Sequence, residues 1–189
     1  GETTGLIRAL LEAGAPDAVL SMLHDPDSAA AAHAAGIDAR IPVRLGGRFA
    51  EYSEPLEVEV EVVALSDGRF RMTGPMFGGS EADMGPVARL AIAGSGVTIV
   101  VGSQRAQNAD QEMFRVVGIE PRDHAVICVK SAVHFIADYK RIASDILFAR
   151  SPGANPCDLA GIPYRHLRKG VRLGPHGPVS GPPSGAAGE

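Results

Sequence analysis

The sequence has no excess of basic side chains: 18 Lys and Arg stand against 22 Asp and Glu, a formal charge of -4 at pH 7. Affinity for nucleic acid draws largely on clustered cations that release counterions from phosphate, so nucleic acid is not expected as a partner. No uninterrupted apolar run reaches the length of a membrane span, and Gly1-Glu2-Thr3-Thr4 carries neither the basic nor the apolar stretch of an export leader. The chain therefore reads as soluble and cytoplasmic, without membrane contact. Cysteine is scarce, with Cys128 and Cys157 alone. Cys128 falls in the apolar run 125–129, where a thiol acts as a small buried hydrophobe, so reduced thiols are expected. Phosphate loops are missing too: Gly46-Gly47 and Gly78-Gly79 lack the spacing and the Lys-Ser/Thr ending that cradle phosphates, and read as turns.

What is present is an ordinary globular composition, 45% hydrophobic and 21% charged, enough apolar surface to bury a core. One folded domain is expected over 1–173. From Gly174 the sequence continues PHGPVSGPPSGAAGE, too poor in large apolar side chains to offset the entropy of ordering, so 174–189 is expected to be a disordered tail. The chain begins with Gly and enters a helix signal at once, as a piece of a longer polypeptide would.

Thr3 or Thr4 is placed to cap a helix whose Leu6, Ile7, Leu10 and Leu11 share one face and which Gly14 stops. Residues 17–23 read as a mostly apolar strand. Asp25-Pro26-Asp27-Ser28 then opens an alanine-rich helix, with Asp25 as cap and Pro26 in the first turn, ended by Gly36. Further on, Leu56, Val58, Val60 and Val62 alternate with Glu57, Glu59 and Glu61, a strand with one apolar and one acidic face. Ser66-Asp67-Gly68 is read as its turn, with Phe70 and Met72 on the returning strand. A second hairpin joins 88–93 to 97–101 through Gly94-Ser95-Gly96. A short helix over 111–117, closed by Gly118, precedes a buried strand over 124–129. Together these predict an α/β protein of mixed α+β character, a mixed sheet with antiparallel hairpins flanked by helices.

His24, Asp25, Asp27 and His33 have zinc-binding chemistry, but their spacing matches no ligand motif and a helix cap accounts for the Asp-Pro-Asp-Ser piece. The glutamates of the alternating strand read as a solvated face. More informative are two polar segments that directly follow core strands: Gly102-Ser103-Gln104-Arg105-Ala106-Gln107-Asn108 and Lys130-Ser131-Ala132-Val133-His134-Phe135. Loops at the carboxyl ends of core strands converge over the sheet edge and commonly build sites. Ser103, Arg105, Gln107, Lys130 and His134 are therefore the candidate substrate-binding residues, with His134 the one catalytic candidate; capping of neighbouring helices and loops is the competing role. No nucleophile triad can be argued from order along one chain.

The stretches RLGGRF, DGRFRMTGPMFGG with ADMGPVARL, VVGSQRAQNADQEMFRVVGIEP, VKSAVHF and DLAGIPYR, in that order, resemble the C-terminal domain of the MlrC (microcystinase C) family of zinc metallopeptidases. The resemblance runs from about residue 3 to residue 169. It implies a larger N-terminal domain holding the catalytic zinc on Asp and His ligands, peptide or amide hydrolysis as the activity, and, for the namesake, action on linearised microcystin. It further implies that Ser103, Arg105, Gln107, Lys130 and His134 face a cleft toward that missing domain, and that this chain itself binds no metal. After DLAGIPYR the chain departs from the family with His166-Leu167-Arg168-Lys169 and its Gly/Pro ending. Two other readings stay open: a free-standing module that binds a small ligand or peptide, and a dimerisation domain in which the hairpin surface joins two copies.

Overall fold

A computed structural model of the chain describes residues 3–48, 52–151, 153 and 158–181, in two compact units that divide after Gly153. The first unit begins with α1 (Gly5–Glu12), β1 (Ala18–His24) and α2 (Pro26–Ala35). It continues through β2 (Arg40–Leu45), β3 (Leu56–Ser66), β4 (Arg69–Arg71), β5 (Glu81–Asp83), β6 (Val87–Ile92) and β7 (Val97–Gly102). The one-turn helix α3 (Glu112–Arg115), β8 (Val126–Val129) and the one-turn helix α4 (Ile136–Tyr139) complete it. Among the described residues the main sheet has the order β2-β3-β6-β7-β1-β8. The pairings from β2 to β7 are antiparallel, whereas β7-β1 and β1-β8 are parallel. The mixed sheet with flanking helices expected from sequence is what forms.

All seven residues of β1 are buried. A strand paired on both edges and covered on both faces has no solvent side, which is why 17–23 lacks polar alternation. The two faces still segregate. Ala18, Leu20, Val97, Ile99, Val101, Ala88 and Leu90 pack with Ile7 of α1 and with Ala29 and Ala32 of α2. Val19, Val100 and Val87, one position out of phase, pack with Met113, Phe114, Val117, Ile119, Phe135 and Tyr139 on the other side. The period of two along each strand thus divides the core into two layers.

Local signals explain most element ends. Asp25 caps α2 by accepting from the Ser28 amide at 3.1 Å, and its second oxygen accepts from the Gly46 amide at 2.8 Å. Gly36 follows α2 with φ 85°. At α1 the expected Thr4 cap is not made. The buried Thr4 hydroxyl instead donates to the Glu54 carbonyl at 2.7 Å and meets Ser53 Oγ at 2.8 Å, anchoring the start of α1 to the segment before β3. The expected helix over 111–117 is shortened to α3 followed by turns, and the strand expected over 124–129 begins at Val126.

Two pairings differ from the sequence reading. Phe70 and Met72 do not return along β3: Phe70 lies in β4, which pairs only with β5 in a separate two-stranded ribbon, while β3 is flanked by β2 and β6. The reason lies at Gly68, whose φ is 79° and whose added Cβ would sit 2.0 Å from the Gly85 carbonyl oxygen. The turn is pressed against Gly85 and leads the chain off the sheet. The strand β2 carries Ile41, Val43 and Leu45 alternating with Arg40, Pro42 and Arg44, a pattern not read as a strand. Across the ladder Arg40 meets Glu61 at 3.4 Å and Arg44 meets Glu57 at 4.0 Å, exposed pairs that set register more than stability.

In the second unit Asp158 caps a 3-10 turn, Leu159–Gly161, by accepting from the Ala160 amide at 3.1 Å. Around a bridge between Arg172 and Val179, Leu173 donates to Pro178 at 2.9 Å and Ser180 Oγ donates to the Arg168 carbonyl at 2.8 Å. Residues 182–189 of the expected tail, and Cys157, lie outside the described residues. No described helix is long and apolar enough to cross a membrane.

Two stability predictions follow from this packing. Gly94 has φ 70° and open space around an added Cβ, so Gly94→Ala should cost only the left-handed penalty of about 1–2 kcal/mol. Gly68→Ala, which also drives a methyl into a backbone carbonyl, should lower the urea midpoint distinctly further; equal midpoints would refute the account of the β3–β4 turn. The second concerns acid. His124 Nδ1 lies 2.7 Å from Asp17 Oδ1 and the Ala125 amide donates to Asp17 Oδ2 at 2.9 Å, so first the histidine and then the amide hold the Asp17 carboxyl below its ordinary range. A depressed folded-state value gives stability that is present above the ordinary carboxylate range, near pH 4, and lost as pH falls through the depressed value. The Tm deficit of Asp17→Asn should therefore be visible at pH 6 and shrink toward pH 2; a deficit constant with pH would contradict it.

Candidate functional site

Because β7, β1 and β8 run parallel, their carboxyl ends share one edge of the sheet, and the chain leaves each of them there. At that edge β1 delivers the buried His24 and Asp25, β7 delivers the segment 103–108, and β8 delivers 130–135. The two later segments are hydrogen-bonded together: Gln107 Nε2 donates to Ser131 Oγ at 3.0 Å and the Asn108 amide to the Lys130 carbonyl at 3.4 Å. A groove of about 370 Å³ lies at the opposite edge, lined by residues such as Leu10, Leu11, Pro16 and Gly96 and by no titratable side chain, so it offers no chemistry.

The five candidate residues have distinct surroundings. Gln107 is exposed and bridges the two segments. Ser103 is half-buried, with its hydroxyl 3.4 Å from the Met84 carbonyl and its amide donating to Pro86 at 3.1 Å, so it secures the entry to β6. Lys130 Nζ donates to the Thr3 carbonyl at 3.0 Å and to Thr3 Oγ1 at 3.1 Å, tying the end of β8 to the residues before α1. Arg105 is exposed. His134 is half-buried, its ring 6.4 Å from that of Phe77 and tilted by 57°. The structure thus brings Gln107 against Ser131, next to Lys130, and gives Ser103 and Lys130 anchoring bonds in addition.

Beneath these loops lies a polar network that the sequence reading missed. Asn108, Asp110, Gln111 and Asp138 are all buried. Tyr139 Oη donates to Asn108 Oδ1 at 2.8 Å and lies 3.2 Å from the Asp110 carbonyl oxygen. Asp110 accepts from the Gly74 amide at 2.7 Å and the Glu112 amide at 3.0 Å, while Asp138 accepts from the Gln111 amide at 2.9 Å. Burial pushes the Tyr139 phenol far above its ordinary range, so it stays a hydrogen donor at any working pH. Arg115 closes one side, bonding Glu112 and Glu120 at 2.8 Å each and Gln111 Oε1 at 3.0 Å. Its guanidinium is raised chiefly by Glu120, whose own carboxyl is lowered chiefly by Arg115. From sequence, Asn108 stands only as the end of a polar segment and Gln111 as the start of a helix; the available signal was Phe135, Ile136 and Tyr139 at helical spacing, a face that needed something to cover.

Asp25, Asp27 and His33, three of the residues with metal-ligand chemistry, are committed elsewhere. Both Asp25 oxygens take backbone amides, Asp27 pairs with Arg48 at 2.8 Å, and His33 Nε2 lies 3.0 Å from the Val87 carbonyl oxygen. Among the described residues no group of three or more His, Cys, Asp or Glu is arranged to hold a metal ion. The side chains of the described residues do not fit zinc, and no chemical step is routed through a metal held by them. Cys128 is equally unsuited to nucleophilic attack, since burial pushes its thiol up to about 11.

Comparison with known proteins decides the family: the model of the MlrC C-terminus matches residues 1–166. The chain belongs to the MlrC C-terminal family. Microcystinase C of Sphingomonas sp. is 26% identical over 152 residues, which cover 80% of this chain and 29% of that protein. The crystal structure of a protein assigned as a metallopeptidase, from Mesorhizobium sp. BNC1, superposes with a TM-score of 0.69 at 28% identity. That match covers 76% of this chain and 28% of the other. The chain thus spans less than a third of the length of either relative. The α/β class with a mixed sheet agrees with this structural likeness.

Tyr139→Phe should lower stability by about 1–2 kcal/mol, because it strips the donor from buried Asn108 Oδ1 without leaving a large cavity. Thermal unfolding of the variant checks this; an unchanged Tm would mean the network adds nothing to the MlrC C-terminal fold.

Proposed function

We propose that this MlrC-type domain is the substrate side of a zinc-dependent peptidase or amide hydrolase, with the catalytic zinc held by an N-terminal domain of the same polypeptide. The observation that carries the reading is the joining of two polar loops at one sheet edge, Gln107 to Ser131, which brings together the polar segments that follow β7 and β8. Membership in the MlrC family supports hydrolysis as the chemistry, and the names of the two relatives, a microcystinase and a metallopeptidase, support a peptide or amide as the substrate.

On this reading the metal would be held by the other domain, where it would supply polarisation of the scissile carbonyl and activation of water. The residues of this chain orient the substrate. In this proposal Arg105 and Lys130 are the cationic side chains that meet a substrate carboxylate. Gln107, Ser103 and Ser131 offer amide and hydroxyl groups that can pair with peptide N–H and C=O groups. In this proposal His134, half-buried beside Phe77, donates a ring N–H to a substrate carbonyl or carboxylate. A linearised microcystin is one substrate compatible with that chemistry.

The test divides metal from substrate. Expressed alone, the chain should carry no stoichiometric zinc and hydrolyse no peptide; tight zinc with turnover would overturn the division of labour. In the product of the whole gene, His134→Ala should lower peptide hydrolysis about tenfold or more, the worth of one hydrogen bond to a charged group, with zinc content unchanged by mass spectrometry. Loss of zinc would make His134 a ligand instead.

A further inference from the structure

The turn 73–79, Thr-Gly-Pro-Met-Phe-Gly-Gly, is held more firmly than an exposed glycine-rich loop needs to be. Its ends are closed by Met72 donating to Ser80 at 2.9 Å and Gly79 donating to Met72 at 2.8 Å. Its base is fastened to the network under the site: Gly74 N donates to Asp110 Oδ2 at 2.7 Å and Thr73 Oγ1 to Glu112 Oε1 at 2.9 Å. Gly74 is buried, and a Cβ added there would lie 2.9 Å from Asp110 Oδ2 and 3.0 Å from Asp138 Oδ2. Gly78 closes on the same turn, its added Cβ falling 2.7 Å from the Gly74 carbonyl oxygen. Two glycines and a buried carboxylate therefore specify one conformation.

That conformation displays large apolar side chains to solvent. Met76 is 46% exposed and Phe77 43%, and the Phe77 ring stands against His134. Val133, beside His134 in the chain, is 57% exposed. A fully buried aromatic side chain removes about 150–250 Å² from water, so the three residues together offer on the order of 300 Å². A stable protein interface takes about 800 Å² from each partner. The patch is the size of one side chain's contact, and it adjoins the polar loop that contains Ser131 and His134. A peptide presents the same combination within a few ångströms, polar backbone groups and an apolar side chain.

We propose that Phe77, with Met76 and His134, forms a subsite for one bulky apolar side chain of the peptide substrate, and that Asp110 is the positioning residue that holds the turn in place. This deepens the reading above and rests on it. Rigid placement matters because a contact already formed in the free protein costs little ordering on binding. Asp110 acts through Gly74 and touches no substrate.

The experiment uses the product of the whole gene and peptide amides that differ at a single side chain: Phe, Leu, Ala or Glu. The unaltered enzyme should favour Phe and Leu over Ala and Glu in kcat/KM, and Phe77→Ala should reduce that preference about tenfold, within the range by which apolar pockets discriminate. Phe77→Leu should keep most of it. Asp110→Asn should raise KM for the Phe peptide with less effect on kcat, whereas a merely structural role would lower the amount of active enzyme and leave KM alone. Hydrolysis with a preference unmoved by Phe77→Ala overturns the subsite. An unchanged KM in Asp110→Asn overturns its positioning role. If the unaltered protein hydrolyses no peptide at all, the reading beneath fails and this one falls with it.

Discussion

The complete burial of β1 constrains everything built around it. A strand with no solvent side must be paired on both edges and covered on both faces, and here the edges are taken by β7 and β8, both parallel to it. Parallel neighbours cannot be joined by a tight turn, so the chain has to travel between them, and each strand ends on the same side of the sheet. The segment after β7 therefore meets the segment after β8 in space although residues 107 and 131 are far apart in sequence. The bond from Gln107 to Ser131 is a consequence of that topology.

The second layer of control is polar. Loops over a sheet edge contain backbone donors that need partners, and an unpaired buried one costs about as much as a lost hydrogen bond. This protein meets the need with carboxylates: Asp110 serves Gly74 and Glu112, Asp138 serves Gln111, and Asp25 serves Ser28 and Gly46. Each of the three joins segments or caps an element, and all are buried. Asp25 and Asp110 are each fixed by two short amide bonds and Asp138 by one, so these carboxylates order backbone, as the cap reading of the Asp-Pro-Asp-Ser piece expects for Asp25.

Legibility from sequence followed the same division. Elements whose signals are local were readable: the Asp25-Pro26 start and Gly36 end of α2, the β6–β7 hairpin through Gly94, the apolar run of β1, and the acidic outer face of β3. The MlrC likeness was carried by ordered motifs that survive as glycine turns and buried polar positions. What failed was non-local. The partner of β3 is set by the clash that Gly68 avoids at Gly85, a contact between residues with no pattern linking them. The strand β2 was hidden because Arg and Pro at alternate positions look like loop until the facing glutamates are placed opposite. Asp110 and Asp138 were not singled out, because burial of a charge cannot be seen until the groups that satisfy it are known.

The candidate site inherits this limit in a specific way. Gln107, Lys130 and His134 could be chosen because they follow apolar strands, a local fact. What makes their arrangement reproducible is the network below them, whose members come from α3, α4 and the turn at Gly74, three segments that a reading by loops treats as unrelated. A polar loop on an apolar layer would be free to slide, since apolar contacts carry little direction. Short bonds from Asp110, Asp138 and Tyr139 supply the direction, and they fix the Gly74 and Gln111 backbone and the buried Asn108 side chain rather than the exposed side chains.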